Sequence, residues 1–532
     1  MKQAYFKPWV QGWDWGIRIA LLLLLLSSLM QLGLFALTGS YIVAYLGVQQ
    51  EDISFCLMST YAGIIASIPM QFRFIRRFEM RNYLAANVAL AILLNWLCID
   101  CRDINILLVI RFLQGILTGG ICVSTLILIF SRVPTHRAQL IGAAVFYPTI
   151  LGNIVVAASI AAVFIDISEW KASYYCLIGI QLFSLLITML LLRRSSGHRR
   201  LPLYQIDWVG FLLFALSALA LAYTFIYGSR YYWFDDRRIC YSSCIAGAGV
   251  ILFLYRQSLL KRPLIHPGVF KSVHFVTGLC LLGLYYGGKD SINLVYNYAF
   301  VTLKWTPFQV AALGCCNIAG VVSLAVFSTR LIIAKKHNFQ FFLTAGFGLM
   351  ALFNLWMWYI MTPDLSFTDL LFPIFIQGAA SGLLFVPIII YILTSAAGFS
   401  GTSGIVLAAC TRFTATLQSI AGLYNLQLYH NQYFKEGFLS YLTPDNPNTT
   451  NRLNTYQSLY TSKGFSAEQG SYIAKTVIWQ SLGQQSQLLT NRAVFMTFAL
   501  LMLSIALLVL IIPAIRKTCK YLNSTSAMES DR

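Results

Sequence analysis

Apolar residues in this chain run in long blocks separated by short polar stretches. Between Ile19 and Leu37 no side chain carries a charge. A run of about 20 apolar residues spans the hydrocarbon core of a bilayer as a helix. Fourteen such blocks can be marked, at roughly 19–46, 53–72, 82–99, 104–130, 138–164, 172–192, 207–227, 239–255, 272–299, 308–332, 339–361, 370–395, 403–425 and 493–514. The eighth is the shortest and starts beside Arg237 and Arg238. The pattern predicts an all-α polytopic membrane protein with 14 transmembrane helices.

Two connections between blocks are long. Arg193 to Ile206 is basic and polar, and marks the end of a six-helix half. Gln427 to Thr490 carries a turn cluster, Pro444-Asp445-Asn446-Pro447. Ser466 and Gln469 then have the spacing of a capping box, in which each side chain satisfies a free amide of a helix start. This stretch is expected to be a small helical hairpin standing outside the membrane.

Composition agrees with lipid as the solvent. The hydrophobic fraction is 58% and the charged fraction 11%, too little charge to cover a soluble protein of 532 residues. The net charge of +19 sits in short clusters between apolar blocks. That distribution suits an anionic lipid surface and not nucleic acid. No Gly-rich phosphate loop is present, so ATP-driven pumping is not expected. Most of the 12 cysteines, such as Cys56, Cys122 and Cys280, lie inside apolar blocks as small hydrophobes. Cys98 and Cys101 have CxxC spacing but no His or second pair nearby, so neither a metal nor a cofactor is expected. Nothing points to an enzyme. The first block is too long for a signal peptide, and Trp9, Trp13 and Trp15 before it form an interfacial anchor.

Orientation follows from Lys and Arg in short loops. Alternate loops carry Arg73, Arg76, Arg77 and Arg81; Arg132 and Arg137; Arg193, Arg194, Arg199 and Arg200; Arg256, Lys261, Arg262 and Lys271; and Lys335 and Lys336. The intervening loops are poorer, apart from Arg230, Arg237 and Arg238. The basic set is assigned to the cytoplasm, which places both termini there. Arg516, Lys517 and Lys520 agree.

A few residues within the blocks carry chemistry. Arg111 lies in the fourth, where a charge costs at least about 2.5 kcal/mol. It either faces the interior or a wet cavity, or snorkels and pairs with backbone carbonyls. Lys289 and Asp290 follow Gly287 and Gly288 in the ninth block. Neighbours one apart on a helix point about 100° apart and need not pair. The glycines can loosen or kink the helix. Asp290 is the one acidic residue placed well inside a block, since Asp207 lies at a block end. Its carboxyl can trade a proton when desolvated; the alternative is that it sits nearer the outer surface, solvated. Arg412 in the thirteenth block is either a cavity cation or a contact to a neighbouring helix. Tyr285, Tyr286, Tyr296 and Tyr298 cluster in the ninth. Aromatic walls suit amphipathic substrates; ordinary packing is the alternative for any single ring.

Taken in order, these segments resemble the fourteen-span drug:proton antiporters of the major facilitator superfamily, the EmrB/QacA group. Arg111-Phe112-Leu113-Gln114-Gly115 is similar to the family's fourth-span motif. Glu169-Trp170-Lys171, Asp207-Trp208-Val209-Gly210, Gln377-Gly378-Ala379-Ala380-Ser381-Gly382 with Pro387, Arg412, and Gln485 through Phe495 fall where the family has its sixth-, seventh-, twelfth-, thirteenth- and fourteenth-span motifs. There are departures. Arg76 and Glu79 stand where the second-span loop has Asp and Gly, and Leu37 to Val43 lacks the first-span Asp and Asn. The fifth-span motif keeps Pro148 and Gly152 but has Tyr147 and Leu151 at Gly positions, and Ala493 stands where the last span often has Asp.

The resemblance implies a major facilitator fold, two six-helix bundles with the seventh and eighth helices inserted. The division is 1–192 for the first bundle and 193–271 for the linker and inserted helices. The second bundle takes 272–514 with its outer insert at about 427–490, and the tail 515–532. It also implies proton-driven export of hydrophobic or amphipathic small molecules across the inner membrane. Asp290, Lys289 and Arg111 become candidates for proton coupling, and Arg412, Gln114, Tyr285, Tyr286 and Tyr296 for the substrate cavity. Arg73, Arg76, Arg77, Arg81, Gly115, Pro148, Gly152, Gly378, Gly382 and Pro387 become the gating and structural motif. Expected partners are the substrate, protons and lipids, with a periplasmic adaptor and an outer-membrane channel as in relatives with this outer loop. The alternatives are a dedicated exporter of one metabolite, lipid or siderophore, and a sensor or scaffold that has lost transport.

Overall fold

The computed structural model describes residues 5–132, 138–167, 170–194, 203, 206–260, 263–334, 339–396, 401–443 and 445–511. Arg137, Glu169, Arg199, Arg200, Lys261, Arg262, Lys335, Lys336, Pro444, Arg516, Lys517 and Lys520 lie outside the described residues. Within them the chain is helical, apart from one isolated bridge between Phe6 and Leu192. The first half holds α1 (Asp14–Leu37), α2 (Gly39–Leu46), α3 (Gln50–Phe78), α4 (Met80–Ile99), α5 (Ile104–Arg132), α6 (Ala138–Ile167) and α7 (Lys171–Leu191). Then come α8 (Trp208–Tyr227) and α9 (Arg237–Leu259). The second half holds α10 (Val273–Lys289), α11 (Ile292–Asn297), α12 (Pro307–Ile333), α13 (Phe339–Ile360), α14 (Phe367–Ala396), α15 (Gly401–Gln418), α16 (Tyr424–Leu439), α17 (Pro447–Ser462) and α18 (Ala467–Ile511).

Among the described residues, twelve helices are long and apolar enough to cross a membrane. The helix α6 and the broken pair α10–α11 occupy the fifth and ninth places in the chain, so the arrangement is compatible with fourteen crossings. Three expected spans differ in detail. The first is divided at Thr38, whose hydroxyl donates to the Leu34 carbonyl at 2.9 Å before Gly39 starts α2. The ninth is not continuous, because the backbone tightens at Asp290 and Ser291. The last begins 26 residues earlier than hydropathy indicates, since α18 runs 45 residues from Ala467 instead of starting at 493. At 1.5 Å per residue α18 is about 68 Å long, roughly twice the hydrocarbon thickness. Hydropathy marks where lipid contact stops, and a helix continues past that point if its amides stay paired.

The segment 427–490 is helical and continuous with its neighbours. Its legs prolong membrane helices: α16 follows α15 through a π-helical turn, Ser419–Leu423, and α17 packs back on α18. The Ser466 capping box forms as its spacing predicts, with Gln469 N donating to Ser466 Oγ at 3.3 Å and Ser466 N to Gln469 Oε1 at 3.2 Å.

Among the described residues, α3 with α5 and α12 with α14 are helix pairs whose glycines lie against the partner's backbone. A Cβ added at Gly115 would meet the Thr60 carbonyl oxygen, and one at Gly63 the Phe112 carbonyl oxygen. In the second half a Cβ at Gly378 would meet the Asn317 carbonyl oxygen, and one at Gly382 that of Val321. In lipid, where no hydrophobic drive separates protein from solvent, such small-residue contacts let backbones pack and gain dispersion energy. Gln114-Gly115 with Gly119, and Gln377-Gly378 with Gly382, repeat the same Gln-Gly-three-Gly spacing in the two halves.

The halves meet along two seams. In one, α6 lies against α12 and α14, and a Cβ added at Gly314 of α12 would meet the Val155 side chain of α6. In the other, α3 lies against α15, where Met58, Ala62 and Ile65 share a core with Phe413 and Leu417. The inserted pair α8–α9 packs on the outside of α3. Its joint is held by Asp207, which accepts from Arg256 Nε at 2.9 Å, Gln257 Nε2 at 3.0 Å and Gly210 N at 2.9 Å. Between α3 and α4, Glu79 has φ 66° and ψ 143°. That backbone favours glycine and costs a side-chain-bearing residue about 1–3 kcal/mol. It is the position where the resemblance expects Gly.

Candidate functional site

Two networks of buried polar side chains involve the expected residues. The first is within the first half. Arg111 on α5 is fully buried. Its Nη1 donates to Gln114 Oε1 at 2.5 Å, one helical turn on. Gln114 Nε2 donates to Asn95 Oδ1 on α4 at 3.0 Å. Asn95 Nδ2 donates to Gln181 Oε1 on α7 at 2.9 Å and to Gln31 Oε1 on α1 at 3.4 Å. Gln31 Nε2 in turn donates to Thr118 Oγ1. Four helices are thus tied by one network of amides, every member of it buried. The Phe35 ring covers the guanidinium, its centroid 3.9 Å from Cζ.

The second lies at the break between α10 and α11. A broken helix frees carbonyls, and these need donors. Gln377 Nε2 on α14 donates to the Lys289 carbonyl at 3.1 Å, while Gln377 Oε1 accepts from Asn317 Nδ2 on α12 at 2.6 Å. Lys289 Nζ stands 3.7 Å from Asp290 Oδ1, with the two side chains 15% and 16% exposed. The pairing departs from the 100° separation of an ideal helix because the ladder ends between these residues, so the long Lys side chain reaches the turn. Arg412 on α15 lies beside two rings, its Cζ 5.8 Å from the Tyr61 centroid and 5.6 Å from that of Tyr286. Tyr61 is on α3 and Tyr286 on α10, so this cation joins the two halves. A guanidinium over an aromatic face gains about 0.5–2 kcal/mol, more as the site dries. Tyr285 and Tyr286 in turn pack on Phe385 of α14.

The expected residues therefore separate into two groups. Lys289, Asp290, Tyr286 and Arg412 come together. Arg111 and Gln114 do not join them, and their hydrogen-bond partners all belong to α1, α4 and α5. Tyr296 lies in a different apolar cluster with Trp305 and Phe367. Arg73, Arg76 and Arg77 occupy the last turns of α3, where cations suit the helix dipole. Arg81 at the start of α4 reaches Met189 Sδ at 3.5 Å. Pro148 lies inside α6, and a Cβ on Gly152 would stand 3.8 Å from Ile318 Cδ1 across the seam. Pro387 is buried within α14.

The model of the Major Facilitator Superfamily matches residues 20–419. The chain belongs to the Major Facilitator Superfamily. Among curated proteins this facilitator is similar to the Multidrug export protein EmrB of Escherichia coli (strain K12), 23% identical over 420 residues, which cover 76% of this chain and 77% of that one. It is similar also to Multidrug resistance protein 3 of Bacillus subtilis (strain 168), 23% identical over 69% of this chain and 70% of that one. The Fatty acid resistance protein FarB of Neisseria gonorrhoeae is 22% identical over 65% and 68%. Among solved structures, a POT family transporter in complex with a thioalcohol-conjugated peptide matches with a TM-score of 0.58 at 14% identity, covering 94% of this chain and 96% of that one. That likeness shows a shared fold.

Several residues of these networks escape a reading of the sequence. Gln31, Asn95, Gln181 and Asn317 are amides inside apolar blocks, and Tyr61 is one ring in an apolar run. Two signals could have found the amides. An unpaired amide in lipid is costly, so each one implies a partner. The repeated Gln-Gly spacing also marks α5 and α14 as matching helices of the two halves.

Proposed function

We propose that this facilitator is a proton-driven exporter of hydrophobic or amphipathic small molecules in the cytoplasmic membrane, a transporter and not an enzyme. The observation that carries the reading is the cluster Lys289, Asp290, Tyr286 and Arg412 at a helix break, with Tyr61 supplied by the other half. Similarity to relatives named as multidrug exporters supports the direction and the substrate class. Asp290 is the proton carrier in this reading. Rocking of the halves around the α3–α15 seam changes which environment Asp290 meets and links proton release to substrate movement. The rings of Tyr61, Tyr285 and Tyr286 offer area and π-faces to amphipathic molecules without fixing their shape. An efflux-deficient host expressing the chain should grow at higher concentrations of several such toxic compounds. Growth no better than with an empty vector across the panel would contradict export.

In the same reading both termini are cytoplasmic, and α16, α17 and the first half of α18 stand in the periplasm. Their exposed rings, Tyr429, Tyr433, Tyr472 and Trp479 among them, suit docking of an adaptor protein that leads to an outer-membrane channel. The orientation has a direct check. A cysteine at Ser440 should react with a membrane-impermeant maleimide added to intact cells, and one at Gly197 should react only after lysis. The reverse labelling pattern would overturn the orientation.

A further inference from the structure

A regular helix would pair the Lys289 carbonyl with the amide of Asn293, four residues on. At the end of α10 that ladder stops. The Asn293 amide donates to the Asp290 carbonyl at 3.0 Å. The Ser291 amide and hydroxyl both turn back to the Gly288 carbonyl, at 3.4 and 2.9 Å. The Lys289 carbonyl takes its hydrogen bond from a side chain, Gln377 Nε2 of α14, at 3.1 Å. A carbonyl freed inside a membrane protein needs such a donor, since lipid offers none.

The bond falls on a particular peptide unit. The Lys289 carbonyl belongs to the plane that joins Lys289 to Asp290, and a peptide plane is stiff. Holding its oxygen therefore constrains ψ of Lys289 and φ of Asp290, and with them the directions in which both side chains leave. These are the side chains whose Nζ and Oδ1 stand 3.7 Å apart. Gln377 is itself held. Its Oε1 accepts from Asn317 Nδ2 at 2.6 Å, and the same Nδ2 donates to the Ile374 carbonyl, one turn before Gln377, at 3.0 Å. With its oxygen turned to Asn317, the Gln377 amide presents its nitrogen to Lys289. Both amides are buried. Gly378, next to Gln377, lies against the Asn317 carbonyl oxygen, so the donor stands on closely packed backbone.

We propose that Gln377 is a positioning residue for Asp290: its bond to the Lys289 carbonyl holds the peptide plane that directs Lys289 and Asp290, and Asn317 keeps Gln377 turned to make that bond. Without it the Lys289 carbonyl reclaims the Asn293 amide. The ladder then closes across the break, the plane turns, and Asp290 leaves its place beside Lys289. This role rests on Asp290 as the proton carrier, and adds what decides where its carboxyl points.

The test is the final accumulation ratio of an amphipathic fluorescent compound in proteoliposomes of the full-length chain under an imposed pH gradient. Vesicles are matched by their rate of exchanging labelled for unlabelled compound without a gradient, so that lost or misfolded protein does not enter the comparison. Wild type should reach about tenfold per pH unit. Gln377→Met keeps the length of the side chain, loses donor and acceptor, and should reach about threefold or less. Where that variant gives no folded protein, Asn317→Ala decides, because it frees Gln377 to turn; its ratio should fall at least about twofold. A wild-type ratio in Gln377→Met, or in Asn317→Ala where it stands in, would overturn the positioning role. So would a folded variant that loses exchange along with accumulation. No accumulation by wild type would contradict proton-driven export itself, and would take this role with it.

Discussion

Gly378→Leu is expected to remove most of the folded protein, and Gly115→Leu to do the same. At Gly378 the first added carbon meets the Asn317 carbonyl oxygen, and at Gly115 that of Thr60. Both obstacles are helix backbone, which cannot rotate away as a side chain can. The helices must separate, losing the dispersion contacts of the α3–α5 and α12–α14 pairs. Overpacking of this kind costs about 1–3 kcal/mol for extra methylenes in a core, and more where backbone must shift. Gly348 and Gly179 are the controls, since a Cβ there meets nothing within 4 Å. Size-exclusion chromatography of fluorescent fusions should show the monodisperse peak lost in Gly378→Leu and Gly115→Leu and kept in Gly348→Leu and Gly179→Leu. Equal recovery of all four would mean that the glycine contacts do not hold the bundles together.

Asp290→Asn should fold like wild type and lose coupling. The substitution keeps the size and hydrogen bonding of the side chain beside Lys289 but cannot titrate. A gradient of one pH unit supplies about 1.4 kcal/mol per proton, equivalent to a tenfold concentration ratio of substrate. In vesicles the ratio should fall from about tenfold toward unity per pH unit, with substrate binding retained. A wild-type ratio in this variant would place the coupling group elsewhere.

How far each feature could be read depended on whether its cause was local. The charge-free run from Ile19 to Leu37 and the Ser466–Gln469 capping box are local, and the helices stand where they point. Gly287 and Gly288 foretell a weakened helix, and the ladder stops just beyond them. What fills the break is not local: Gln377 comes from a helix 88 residues on. The Lys289–Asp290 contact was hidden for a related reason, since ideal helical angles do not apply where the helix ends. Tyr61 could not be matched with Arg412 because only the seam between α3 and α15 brings them together. Hydropathy likewise could not show that α18 starts at Ala467, because the polar first half of that helix is held by α16 and α17.

Substrate movement driven by protons is measured most directly on reconstituted protein. Purified full-length chain in proteoliposomes, given an amphipathic fluorescent compound from the growth panel and an imposed pH gradient, should accumulate it against its gradient. Accumulation should collapse when a protonophore is added and should be missing in Asp290→Asn. Accumulation that is indifferent to the protonophore, or movement no faster than in protein-free liposomes, would contradict proton-driven export.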